Sequence, residues 1–155
     1  MYLPLKTGIM SNLRNLLFPS APSQLLSSAL LLTARIVIGL MFMSHGVAKW
    51  AAFENIAMRF PDPLGVGGTI SLLLVIFAEI ICSVGVILGA AYRLCLVPMI
   101  FTMTMAFFVI HLGNTFHDRE LPLMYLVIFV LMFIAGPGYF SFDSALRRMY
   151  GLPAK

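Results

Sequence analysis

The stretch Thr33–Lys49, TARIVIGLMFMSHGVAK, decides how the chain must be read. It is apolar enough to cross a bilayer, yet it carries Arg35 and His45 and ends on Lys49. A charge at such depth costs roughly 2.5–3.5 kcal/mol on insertion scales, so these groups normally face a bundle interior, a partner charge or a water-filled cavity. At 100° per residue, Lys49 lies about 40° and His45 about 80° from Arg35 on the helix circumference. The three basic groups therefore share one broad face with Gly39, Phe42 and Gly46, while Val, Ile, Leu and Met cover the other side. A polar seam of this kind predicts a helix that turns one side to its neighbours and the other to lipid.

Composition agrees with that reading. Of 155 residues, 61% are hydrophobic and 10% charged, with a mean hydropathy of +0.99. Soluble domains carry about 25% charged residues, so an aqueous surface could not be covered. The sequence predicts an all-α integral membrane protein, a four-helix bundle running up-down-up-down. Spans are expected at about 27–48, 69–90, 94–112 and 121–135 within a membrane domain of residues 27–140. A proline-broken N-terminal arm (1–26) precedes it, and a tail (141–155) with a short amphipathic helix follows.

The arm is broken by Pro4, Gly8, Pro19 and Pro22 and does not have the pattern of a signal peptide. Lys6 and Arg14 suit a segment lying on the membrane surface. Between the first two spans, Trp50, Phe53 and Phe60 fit an interfacial aromatic belt. Pro61-Asp62-Pro63-Leu64-Gly65 is a turn-rich break. Tyr92 and Arg93 leave almost no room between spans two and three, which predicts an antiparallel hairpin. Gly136-Pro137-Gly138 ends span four, and Ser141 and Asp143 are placed to cap the tail helix with Arg147 and Arg148.

Loop charges set the expected orientation. Lys6, Arg14, Arg93, Arg147, Arg148 and Lys155 fall on one side, six in all, against Lys49, Arg59 and Arg119 on the other. Both termini are therefore expected in the cytoplasm. The basic residues form no dense face of the kind nucleic acid requires, and anionic lipid headgroups are the simpler partner. Cys82 and Cys95 lie in apolar runs and read as small buried hydrophobes, and the eleven methionines read as core filling.

Glu79 stands near the middle of span two and must be protonated or paired. Depths counted from the span ends put Arg35 about 12 Å and Glu79 about 16 Å from the cytoplasmic side. Arg35–Glu79 is thus the expected ion pair. His45, Lys49 and His111, with Asn114, are expected at the opposite mouth of the bundle. The candidate set is Glu79 and His45 as proton-handling groups, with Arg35, Lys49, His111 and Asn114 binding polar parts of a cofactor. Two histidines can also ligate haem iron, but these have no i,i+4 partner. No nucleotide loop, nucleophile elbow or zinc-ligand cluster occurs.

Ser44-His45-Gly46-Val47-Ala48-Lys49, Ala78-Glu79, His111-Leu112-Gly113-Asn114 and Gly136-Pro137-Gly138 before Ser141 and Asp143, with Arg35 early in span one, together resemble the DoxX family over about Leu31–Leu146. The resemblance implies a bacterial inner-membrane four-helix protein. Proteins of that family are similar to the membrane subunit of thiosulfate:quinone oxidoreductase, and some members are described in complexes with a superoxide dismutase and a sulfurtransferase. A membrane redox component binding a quinone or similar lipophilic molecule, working with protein partners or as a homo-oligomer, is the implied function. The alternatives are a non-enzymatic anchor with a structural ion pair and, third, a proton-coupled carrier, for which no inverted repeat is visible.

Overall fold

The computed structural model describes residues 23–151. The arm expected on the membrane surface lies outside the described residues except for its last few positions. The described residues are helical, with no strand among them. Helix α1 (Gln24–Ala51) is followed by a short α2 (Phe53–Ile56) and a 3-10 turn (Ala57–Arg59). Then come α3 (Gly68–Leu88), α4 (Tyr92–Ile110), α5 (Phe116–Ala135) and α6 (Phe142–Met149). Helices α1, α3 and α4 are long and apolar enough to cross a membrane. In α5 the first turns carry His117, Asp118, Arg119 and Glu120, so its apolar stretch begins only at Leu121.

These four long helices meet in one core built from Phe42, Val86, Leu96, Met99, Tyr125 and Phe129 among others. Their outward faces carry exposed Leu40, Val47, Leu73, Ile81, Val97 and Leu131. Apolar surface on this scale is what lipid-facing helices present, since hydrocarbon solvates it without cost.

Helix α1 turns its basic face inward: Arg35, Gly39, Phe42 and Gly46 are its buried residues. The two glycines let α3 approach closely. A Cβ at Gly39 would stand 2.5 Å from Ile87 Cγ1, and one at Gly46 would stand 2.8 Å from Glu79 Cβ. Gly89 in turn lies against the Arg35 guanidinium. These contacts fix an antiparallel register in which Gly46 is level with Glu79, and Arg35 is level with Gly89. The glycines expected as a packing stripe are thus used within the chain, between α1 and α3.

That register overturns the Arg35–Glu79 pair. Ten residues of α3 separate Gly89 from Glu79, about 15 Å along the axis, which is beyond an arginine's reach. Span ends alone set residue 90 level with residue 27, whereas α1 projects about eight residues further past the α3–α4 turn. The chain after α5 fills the space beneath that turn. Gly138 packs on Leu31 and Ser28, the Tyr139 amide donates to Ser28 Oγ at 3.3 Å, and Arg35 Nη2 donates to the Phe140 carbonyl. Arg35 is 1% exposed, with the Tyr92 ring 5.9 Å from its Cζ.

Asp143 also departs from its expected role. Ser141 caps α6, accepting from the Ser144 amide at 3.1 Å. The Asp143 carboxylate instead caps α4, accepting from the Ala91 and Tyr92 amides at 2.9 and 3.0 Å. Ala91 there adopts φ +45°, a left-handed conformation without a glycine, at a cost of roughly 1–2 kcal/mol. Ala91→Gly is expected to raise stability by about 1 kcal/mol, whereas Asp143→Ala lowers it by about 1 kcal/mol. Denaturant unfolding in detergent micelles reads both, and a loss of stability in Ala91→Gly would contradict the strain.

Candidate functional site

Glu79 belongs to a π-helical turn, Phe77–Ile81, set within α3. A second π-turn, Ala106–Ile110, ends α4. Turns of this kind are rare and concentrate at functional sites, because the extra residue re-aims the side chains around it. Phe77 and Glu79 from the first, with Ala106 and Ile110 from the second, line a cavity of about 670 Å³. Both π-turns therefore flank the same space.

Glu79 is 2% exposed, so a carboxylate there requires a cation in contact. Lys49 supplies it. Its Nζ donates to both carboxylate oxygens, at 2.7 and 2.6 Å. The partners are unequal, with 29% of the Lys49 side chain exposed against 3% for Glu79. The acid is buried from solvent, and both partners line the cavity. Removing one partner of such a pair leaves an uncompensated buried charge and typically costs 3–5 kcal/mol.

His45, one turn below Lys49 on α1, lines the same cavity and meets the Tyr125 ring edge-on, with centroids 5.8 Å apart. His111 lines it from the end of α4. Asn114 is exposed and outside the lining, and its Nδ2 holds His111 Nδ1 at 3.1 Å. Of the six residues expected to form the site, His45, Lys49, Glu79 and His111 share one cavity. Asn114 supports it from outside, and Arg35 is excluded from it. Among the described residues no cluster of metal-ligating side chains occurs.

Sequence reasoning missed Tyr125. It is the single polar side chain between Pro122 and Ala135, a signal that could have singled it out. It also missed the cavity's cover, where Phe60, Pro61, Pro63 and Leu64 of the loop before α3 join the lining. The walls include Leu74, Phe77, Val97 and Phe101, whose side chains also face outward from α3 and α4. The Gly68–Ile76 half of α3 has little packing against α4, and the two helices join tightly only nearer their turn. The cavity thus opens sideways, at the depth of the apolar helix faces.

Helices of this length and apolarity around a cavity with a buried ion pair define a small membrane protein with a polar site inside its helical bundle. Within that class the chain belongs to the DoxX family, whose model matches residues 30–112, from α1 to just past the end of α4. Two proteins of Haemophilus influenzae, each described only as an uncharacterized protein, are similar to it. One is 25% identical over 132 residues, covering 80% of this chain and 87% of its own length. The other is 32% identical over 117 residues, covering 71% and 85%. No solved structure matches. The matched region holds His45, Lys49, Glu79 and His111, and Tyr125 lies beyond it.

Asp62 holds the cover in place. Its carboxylate accepts from Ser71 Oγ at 2.7 Å, from the Gly67 amide at 2.7 Å and from the Val66 amide at 3.1 Å. The Ser71 bond first, and the amides after it, hold its pKa below the usual carboxylate range. A carboxyl lowered in the folded state stabilises fully above its unfolded value and loses that contribution as pH falls through the folded one. Protection of the Val66 and Gly67 amides, corrected for intrinsic exchange rates, should persist at neutral pH and disappear on acidification past the ordinary aspartate value. In Asp62→Asn it should be low at every pH, and hydrogen exchange followed by mass spectrometry reads the difference.

Proposed function

We propose that the chain is a membrane redox component that binds a quinone or similar lipophilic ring in the cavity between α1, α3, α4 and α5. One observation carries this reading: a mostly apolar cavity holding the Lys49–Glu79 pair, His45 and His111 is walled in part by outward-facing apolar side chains of α3 and α4. Sites for small molecules span about 300–1,000 Å³, apolar with a few convergent polar groups, and this one falls within that range. Quinone reduction consumes protons as well as electrons. Glu79 and His45 are the titratable groups placed to exchange protons with the ring, and Lys49 is placed to stabilise negative charge on it. Electrons pass to or from a partner protein.

In this reading α5 forms a fourth span of an up-and-down bundle in the bacterial inner membrane, with the N-terminal arm and the tail both cytoplasmic. The lysine and arginine distribution supports that orientation. A purely structural pair in an anchor subunit is the competing reading, favoured by the completeness with which Lys49 satisfies Glu79.

Lipid extraction and native mass spectrometry of the protein purified in mild detergent distinguish the two. Wild type is expected to carry quinone. Glu79→Gln is expected to retain roughly a tenth as much or less, from the loss of a charge-assisted contact. Wild type free of quinone, or Glu79→Gln retaining it in full, would support the anchor and contradict the redox reading.

A further inference from the structure

Tyr125 is 4% exposed, and three rings fix its phenol. Phe42 lies 5.1 Å away at a tilt of 55°, Phe129 stacks at 5.6 Å and 26°, and His45 meets it edge-on. The Tyr125 hydroxyl is buried and has no hydrogen-bond partner among the described residues. Buried phenols usually find one, and an unmade bond in an apolar interior is expensive. A phenylalanine would keep every ring contact without that cost.

The other buried polar atoms lacking partners belong to Arg35, Ser83 and Arg119, and none of those residues lines the cavity. Tyr125 does. The Glu79 carboxylate is bound at both oxygens by Lys49 and accepts no bond from the Tyr125 hydroxyl. The cavity therefore holds a rigidly mounted donor whose acceptor the described chain does not provide.

We propose that Tyr125 donates its phenolic hydrogen to an oxygen of the bound molecule, so that the site selects lipophilic rings bearing a carbonyl or comparable acceptor over plain hydrocarbons. This deepens the reading given under Proposed function and rests on it. His45 edge-on and Phe129 stacked against the phenol hold its ring in place, so the site specifies direction as well as polarity.

The test uses the full chain in lipid nanodiscs and two probes matched in their tails: decylubiquinone, and decylbenzene, which has no ring oxygen. Retention is measured against empty nanodiscs at equal mole fraction in lipid, together with the melting temperature of the ligand-free protein. Tyr125→Phe is expected to weaken decylubiquinone roughly tenfold, the value of one hydrogen bond released into an apolar site. It should leave decylbenzene unchanged and leave the melting temperature equal or higher. Undiminished decylubiquinone binding by Tyr125→Phe would overturn the role of Tyr125 while leaving the site itself intact. A variant that melts earlier and loses both probes alike would make Tyr125 structural and overturn the inference too. Wild type that retains neither probe would overturn the proposed function and this inference with it.

Discussion

A carboxylate sealed inside an apolar bundle is tolerable only with a cation against it, and the Lys49–Glu79 contact meets that condition for this chain. Much of the structure follows from it. Lys49 lies almost one turn beyond Gly46, whose missing side chain lets the α3 backbone come close enough for the lysine to curl back onto the acid. The π-turn around Glu79 turns the carboxylate toward α1 and breaks the even packing of α3. The space left beside it is the cavity. Ion pair, glycine, π-turn and cavity are one arrangement.

Arg35 does comparable work near the middle of α1. It binds the Phe140 carbonyl and packs against Gly89 and Tyr92, so the chain after α5 is clasped beneath the α3–α4 turn. Asp143 completes the clasp by capping α4. Helix α1 is thus a spine with two basic anchors, one near its middle and one near its C-terminal end: Arg35 holds the fold's closure, and Lys49 holds the site. Charge inside the bundle is divided between structure and chemistry along a single helix.

Much of this was legible in the residues. The helices, the inward basic face of α1, the short α3–α4 turn, and the grouping of His45, Lys49 and His111 at one mouth all follow from periodicity and composition. The pairing was not legible. It required relative depth, and depth counted from assumed span ends missed the eight or so residues by which α1 overhangs the turn. The π-turns leave no mark on hydrophobic periodicity, since Phe77–Ile81 is apolar except for Glu79 itself. Asp143 was assigned to the helix nearest in sequence, whereas its partners at Ala91 and Tyr92 lie some fifty residues earlier. Tyr125 was overlooked because a lone tyrosine in an apolar run reads as core until its hydroxyl is found without a partner.

Glu79 is matched with Lys49 and independent of Arg35. Double-mutant cycles on unfolding free energy in detergent test this pairing directly, with Lys49→Met and Arg35→Met each combined with Glu79→Leu. Residues in contact couple by about 0.5–3 kcal/mol, and independent ones add to within about 0.5 kcal/mol. The structure predicts a coupling above about 1 kcal/mol for Lys49 with Glu79 and additivity for Arg35 with Glu79. Coupling between Arg35 and Glu79, with additivity for Lys49 and Glu79, would contradict the register and the site built on it.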